Sequence, residues 1–199
     1  MIVLLSGQAR VGKDTAAILL NNIFINRNET CITTAYADFL KEILRKCFNL
    51  SHEQLYGVDK ERPIEYLPIR TRSGKITNHY WTPRKLLQFL GTDVMRTIDP
   101  ECWINVVKNF VDTYSNYDNI IITDARFANE IEWVLERGGT HIHITRDNKD
   151  FSSGNDHASE VGLNEFFDER SYQIANNGSL EDLKNTLVNI INKEINHGR

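Results

Sequence analysis

Ile2-Val3-Leu4-Leu5-Ser6-Gly7-Gln8-Ala9-Arg10-Val11-Gly12-Lys13-Asp14-Thr15 is an apolar run that breaks at a glycine and resumes as helix-compatible sequence. It reads as strand, loop, helix. Gly7, Gly12 and Lys13 fit the spacing G-x-x-x-x-G-K, in which the glycines let successive backbone N–H groups point into one concavity at a helix N-terminus. Such a concavity holds phosphate oxygens, and the lysine reaches the outer ones as a mobile point charge. Loop residues Ala9, Arg10 and Val11 belong to the same cradle. The usual motif continues with Ser or Thr as a magnesium ligand, but here Asp14 stands in that place and Thr15 follows. After the loop, Ala16, Leu20, Ile23 and Phe24 share one helical face, which supports the strand-loop-helix reading over a chance match.

Working outward, the chain has 199 residues, 41% hydrophobic and 25% charged, a composition that buries one good core. Lys and Arg number 23 against 27 Asp and Glu, for a formal charge of -4, so there is no general basic footprint for nucleic acid. Local basic clusters are therefore read as sites. Cys31, Cys47 and Cys102 lack C-x-x-C spacing, which argues against a disulfide framework or a zinc site and predicts buried thiols in a reducing compartment. The N-terminal run has no basic leader before it, and no stretch approaches the roughly 20 apolar residues of a membrane span. A soluble cytoplasmic protein is expected.

Further along, residues 31–36 read as a second strand, followed by a helix from about Asp38 to Cys47 with Leu40, Ile43, Leu44 and Phe48 on its face and Asp38 able to cap its start. Asp38 thus falls where a strand gives way to a helix. Residues 49–82 lose the apolar period and carry Lys60, Arg62, Arg70, Arg72 and Lys75, either as a solvated excursion or as a segment bringing cations to an anionic substrate. Thr82-Pro83-Arg84 starts a helix with Leu86, Leu87 and Leu90 on its face, and 91–96 continues or kinks it. Arg84, Gln88 and Arg96 are polar residues on these packed helices. Another helix spans about 100–114 with Trp103, Val106, Val107 and Phe110.

Residues 119–124 form an apolar run suited to a strand buried on both faces, and the run ends on Asp124. A carboxylate at the carboxyl end of such a strand suits a magnesium-organising group, the alternative being a cap for the next helix. Arg126 lies two residues on. The following helix, with Phe127, Ile131, Val134 and Leu135, ends at Gly138-Gly139, and Thr140-His141-Ile142-His143-Ile144-Thr145 is a further strand whose two histidines read as ordinary packing or surface groups, not metal ligands. Arg146 opens a polar loop suited to a lid over about 146–157. Asp156-His157-Ala158-Ser159-Glu160 begins a helix, and no nucleophile elbow surrounds Ser159, so a hydrolase is rejected. A short strand at 172–175, a turn and a last helix with Ser179 to Asp182 as its capping box complete the chain; its face is Leu180, Leu183, Leu187, Ile190 or Ile191, and Ile195. About five strands alternating with helices predict an α/β fold with a mostly parallel sheet and helices on both faces.

The order of these pieces resembles the bacteriophage deoxynucleoside monophosphate kinases, a branch of the P-loop nucleoside monophosphate kinases. The likeness rests on Gly7 to Thr15 with Gly-Lys-Asp in place of Gly-Lys-Ser, on Tyr36-Ala37-Asp38, on residues 84–92, and on Thr123-Asp124-Ala125-Arg126-Phe127 with Asn129-Glu130. It also includes Asp156 to Glu160 and Asn176 to Leu180. It implies one P-loop kinase domain over 1–199, with the phosphate loop at 7–15, an acceptor-binding region at about 38–103 and the lid. It implies transfer of the γ-phosphoryl of ATP to the 5′-phosphate of a deoxynucleotide. Lys13 and the loop amides would hold the donor phosphates, and Asp14 or Thr15 with Asp124 would hold Mg2+. Arg126, Arg84, Arg96 and Arg146 would serve transfer, with Arg70 and Arg72 behind them. Asp38, Gln88 and Trp103 would contact the nucleoside. A homodimer acting on small nucleotides, with no nucleic-acid or membrane partner, is the implied state. Animal phosphomevalonate kinases have a similar loop, so a kinase for phosphomevalonate or dephospho-coenzyme A is the alternative within kinases, and a non-catalytic nucleotide-binding switch the alternative outside them.

Overall fold

The computed structural model describes residues 1–147 and 169–196. The chain divides into two compact units, Met1–Tyr36 with Trp103–Arg199, and Ala37–Cys102. The motif at 156–160, and the lid beyond Asp147, lie outside the described residues.

The first unit is built on five parallel strands: β1 (Ile2–Ser6), β2 (Cys31–Thr34), β5 (Asn119–Ala125), β6 (Thr140–Thr145) and β7 (Tyr172–Ala175), in the order β2-β5-β1-β6-β7. The expected mostly parallel α/β sheet is present. β1 is central because its residues are apolar on both faces, and Val3, Leu4 and Leu5 are fully buried. One face, carrying Val3, Leu5, Ile121, Ile142 and Ile144, packs on Ala16, Leu20 and Phe24 of α1 (Lys13–Ile25) and on the last helix, Leu180–Asn196. The other face presents Leu4, Ser6, His141 and His143 by the two-residue alternation of a strand. Beside β1 and β6 lies the helix Ala128–Glu136, with Ile131 and Val134 fully buried. The helix Cys102–Thr113 buries Trp103, Ile104 and Val107.

Pairing of β1 with β5 slips near the carboxyl edge. Leu4 lies opposite Ile122 but Ser6 opposite Ala125, so β5 has an extra residue there. A bulge of this kind re-aims the side chains around it, here Thr123 and Asp124.

In the second unit, α2 (Tyr36–Phe48, whose first residue belongs to the first unit) buries Leu40 and Leu44. It begins two residues before Asp38, so Asp38 sits in its first turn and does not cap it. Ile43 is exposed, as are Leu180 and Ile195 at the two ends of the last helix, so the apolar faces are narrower than the spacing suggested. Residues 49–82 carry more structure than their pattern shows: α3 (His52–Tyr56), a 3-10 turn at Val58–Glu61, and the antiparallel hairpin β3 (Pro68–Arg70) and β4 (Ile76–Tyr80). Every residue of β4 except Thr77 is exposed, which is why no alternation marks the strand. α4 (Pro83–Gln88) starts on Thr82, whose hydroxyl accepts the Lys85 N–H. A π-helical segment, Phe89–Val94, then kinks the chain before α5 (Met95–Ile98). At its centre a Cβ on Gly91 would lie 2.7 Å from Leu40 Cδ2, so α2 approaches the backbone closely there.

The thiols depart from expectation. Cys31 and Cys102 are half-buried, but Cys47 is exposed, because it falls in the last turn of α2 beside Arg45 and Lys46 and away from Leu40 and Leu44. Among the described residues no helix is long and apolar enough to cross a membrane.

Candidate active site

The phosphate loop leaves β1 at Ser6 and enters α1 at Lys13. Its path needs unusual backbone at both glycines, φ 138° at Gly7 and 105° at Gly12, and Arg10 between them also takes positive φ, 66°. Close packing adds a second restriction: a Cβ on Gly7 would lie 2.1 Å from the carbonyl oxygen of Ile144. The loop therefore rests on the end of β6. Lys13 Nζ donates to the carbonyls of Gly7 and Gln8 at 2.8 and 2.7 Å, which holds the ammonium over the loop at the N-terminus of α1. That terminus is where a helix favours anions. Asp14 and Thr15 follow in the first turn with exposed side chains.

The neighbouring strand brings two more predicted residues to the same edge of the sheet. Ser6 pairs with Ala125, so Asp124 and Arg126 flank the position opposite the start of the loop. Asp124 Oδ1 accepts the Tyr36 N–H at 2.6 Å. Asp124 thus holds the first amide of α2. The helix after β5 is steadied by Glu130, 1% exposed, whose Oε2 accepts the N–H groups of Arg126 and Phe127 at 2.7 and 3.2 Å. Arg146 is exposed just beyond β6, whose last residue Thr145 accepts the Asn176 N–H at 2.7 Å.

Asn176 was missed as a site residue. Its Nδ2 donates to the carbonyl of Val11 at 2.8 Å, and a Cβ on Gly12 would meet that same nitrogen at 2.5 Å. The side chain clasps the loop from the end of β7. In the sequence Asn176 reads as a turn residue and as part of the family likeness over Asn176 to Leu180, with no role of its own; an amide residue directly after a predicted parallel strand is the signal that was available. His143 and His141 also have more to do than pack. Ser6 Oγ bonds both, to His141 Nε2 at 2.7 Å and His143 Nδ1 at 2.8 Å. Burial, and then the Lys13 ammonium, hold the His143 imidazole below its ordinary pKa of 6.5.

Within the second unit the predicted residues are spread over four places. Asp38 accepts from Lys41 Nζ and from Tyr56 OH, each at 3.3 Å, and Lys41 Nζ stands 4.1 Å from the centroid of the Tyr56 ring. Burial, then the Asp38 charge, pushes the Tyr56 phenol up. Arg84 and Gln88 are one turn apart on α4; Arg84 is ion-paired with Glu61, and Gln88 Nε2 is buried with no hydrogen-bond partner among the described residues. An orphaned buried donor is costly unless something polar meets it. Arg96 Nη1 donates to the Pro100 carbonyl at 3.0 Å, Arg70 Nη1 to the Gly74 carbonyl at 3.3 Å, and Arg72 lies exposed in the turn between β3 and β4. Trp103, in the first unit, is 5% exposed in the core.

Comparison with known proteins assigns the chain to a family. The family model for deoxynucleotide monophosphate kinases matches residues 55–187, more than half of the chain. The chain belongs to the deoxynucleotide monophosphate kinase family. It is 28% identical over 207 aligned positions to a protein of Acanthamoeba polyphaga mimivirus that carries the family name in provisional form, covering 96% of each chain. It is 34% identical over 117 positions to the deoxynucleotide monophosphate kinase of Escherichia phage RB69, covering 57% of this chain and 46% of that one. The corresponding enzyme of Enterobacteria phage T4 is 34% identical over 114 positions, covering 54% and 46%. As a member of this kinase family the protein is a phosphotransferase. The family-model match begins after the Gly7–Lys13 loop.

Proposed function

We propose that the protein transfers the γ-phosphoryl group of ATP to the 5′-phosphate of a deoxynucleoside monophosphate, giving ADP and the deoxynucleoside diphosphate. The observation that carries this reading is the Gly7–Lys13 loop, with Lys13 held over it and Asp124 and Arg126 at the end of the adjoining strand. An oxygen of the acceptor phosphate attacks the γ-phosphorus while the bond from that phosphorus to the β-bridging oxygen breaks. The acceptor oxygen is already anionic, so no general base is required, and catalysis rests on positioning and charge neutralisation.

In this reading Lys13 and the loop amides bind the donor phosphates, and Arg126, Arg84, Arg96 and Arg146 neutralise the transferring and acceptor phosphates. Arg70 and Arg72 support the acceptor phosphate, while Asp38, Gln88 and Trp103 serve the nucleoside. The orphaned Nε2 of Gln88 favours a base-edge acceptor there. The donors near the loop are all oxygens, the exposed Asp14 carboxylate and Thr15 hydroxyl and the Asp124 carboxylate, and that set fits Mg2+ shared with nucleotide phosphates. Bound there, the ion would neutralise phosphate charge. The reading extends to one kinase domain over the whole chain, active in the cytoplasm as a homodimer on free nucleotides. A formal charge of -4 gives it no electrostatic reason to bind nucleic acid.

The test is ADP production from ATP and Mg2+ with dGMP, dTMP, dCMP, dAMP and phosphomevalonate in parallel, with Lys13→Ala as control. Turnover of at least one deoxynucleotide, reduced about 100-fold or more in the control, is expected for loss of a charge used in the transition state. Turnover of phosphomevalonate alone would transfer the reading to another acceptor, and ATP binding without any turnover would make the chain a nucleotide-binding switch.

A further inference from the structure

Four side chains form a continuous hydrogen-bonded row under the phosphate loop. His141 Nδ1 bonds Ser171 Oγ at 2.7 Å, His141 Nε2 bonds Ser6 Oγ at 2.7 Å, and Ser6 Oγ bonds His143 Nδ1 at 2.8 Å. Ser6 is fully buried and His141 only 2% exposed, so polar groups here must find their partners within the protein. The row satisfies this with both imidazoles neutral. Ser171 donates to His141, His141 to Ser6 and Ser6 to His143, or every bond runs the other way. Either order pairs both ring nitrogens of the buried His141 and the Ser6 hydroxyl, and leaves one donor over at an end of the row, the His143 Nε2–H in the first order and the Ser171 hydroxyl in the second.

We infer that Ser6, clamped between His141 and His143, is a positioning residue for phosphate transfer: it fixes the first peptide of the phosphate loop and so the place of the Lys13 ammonium. The next residue is Gly7, whose carbonyl receives Lys13 Nζ at 2.8 Å, so a shift of Ser6 moves an oxygen that orients the ammonium. On the other side of the same residue, Gly7 is pressed onto the Ile144 carbonyl, the residue after His143. One strand, β6, therefore holds the start of the loop twice, through the His143 side chain and through the Ile144 backbone. Of the charged groups nearby, Glu130 holds the Arg126 and Phe127 amides and Asp124 holds the Tyr36 amide. The Lys13 ammonium is the charge that acts on His143.

This inference rests on the reading of the Lys13 loop as the ATP site, and the experiment separates the two. Wild type, Ser6→Ala, His143→Leu and His143→Asn are compared for ATP Kd by calorimetry, KM for ATP, KM for the deoxynucleotide, kcat and thermal midpoint. His143 is half-buried, so its variants stand even where Ser6→Ala fails to fold. His143→Leu removes the bond to Ser6, whereas asparagine places an amide close to where Nδ1 was. Expected is a rise of about tenfold in ATP Kd and KM for Ser6→Ala and His143→Leu, in line with the penalty for small misplacements, with the deoxynucleotide KM unchanged. His143→Asn should return to within about threefold of wild type, since it restores the hydrogen bond. Equal ATP affinity in wild type and His143→Leu overturns the inference, as does equal damage in the Leu and Asn variants or a parallel rise in the deoxynucleotide KM. A wild type that binds ATP but phosphorylates no deoxynucleotide refutes the acceptor assignment, and the Kd comparison still decides the role of Ser6. A wild type that does not bind ATP overturns both.

Discussion

Two residues show how burial changes what a side chain does. His143 carries its proton less readily in the folded protein than its ordinary pKa of 6.5 implies, first because it is partly removed from water and then because Lys13 is near. The unfolded chain therefore takes up this proton first as pH falls, and the folded state loses stability below about 6.5, the loss levelling off once the folded pKa is passed. Above 6.5 the contribution is fully present. Urea titrations at pH 7.5 and 5.5 should show a larger drop in midpoint for wild type than for His143→Asn, and equal drops would mean that the imidazole does not titrate differently on folding. Cysteine reactivity gives a second case. Burial pushes the Cys31 thiol up to about 11, while Cys47 stands exposed on α2. The thiolate is the reactive form, so a thiol reagent near neutral pH should modify Cys47 first. Cys47→Ser should remove the fast phase, and a fast phase that survives would place the accessible thiol elsewhere.

Elements were legible in the sequence where burial was one-sided or complete. β1 and β5 carry apolar runs because they lie inside the sheet, β6 alternates with β-branched content, and α1 shows its buried face at helical intervals. The hairpin of β3 and β4 escaped because its side chains face water on both sides, and alternation arises only when one face is buried. Asp124 shows a different limit. Its position at the end of β5 could be read, but the Tyr36 amide it binds is 88 residues away in sequence, and only the parallel pairing of β2 with β5 brings the two together. The carboxylate thus has a structural bond at the start of α2 besides its place in the candidate site, and substitution can separate the two. Asp124→Ala loses the acceptor and should cost about 1 kcal/mol, as loss of a helix-start partner does. Asp124→Asn keeps an acceptor without the charge and should stay within about 0.5 kcal/mol of wild type, given that neutral and charged acceptors differ modestly at such sites. Both should lower kcat by about 100-fold if the charge is used in transfer. Denaturation and kcat measured on the same two preparations check this, and wild-type kcat in Asp124→Asn would reduce the residue to a structural tether.

At the scale of the molecule, the α/β class was legible because strands and helices alternate, whereas no change in composition marks the division at Ala37–Cys102, and a region at about 38–103 was set apart by the family resemblance alone. The clasp of Asn176 on the loop and the row from Ser171 to His143 were hidden for the same reason as the Asp124 bond: they depend on strand register, which no local pattern encodes. The first unit is held by an apolar core running from β1 and β6 to α1 and the last helix. Among the described residues no group of three His, Cys, Asp or Glu is assembled for a metal. Asp14 and Thr15, the proposed donors nearest the loop, are exposed and contribute nothing to that core. Folding and metal use should therefore separate. A chelator added to nucleotide-free protein should leave the thermal midpoint within about 1 °C, a shift worth well under 1 kcal/mol for a chain of this size. The same chelator should abolish turnover, because magnesium in such sites is shared with the nucleotide phosphates. Adding ATP with Mg2+ at about 100 times its Kd should stabilise the fold by roughly 2.7 kcal/mol, and hence raise the midpoint by roughly 5 to 10 °C. With chelator present the rise should shrink, since the lysine and loop amides alone must then hold the charged phosphates. A midpoint that falls on chelation before any nucleotide is added would contradict this separation, and would mean that the protein carries a structural metal held by groups other than Asp14, Thr15 and Asp124.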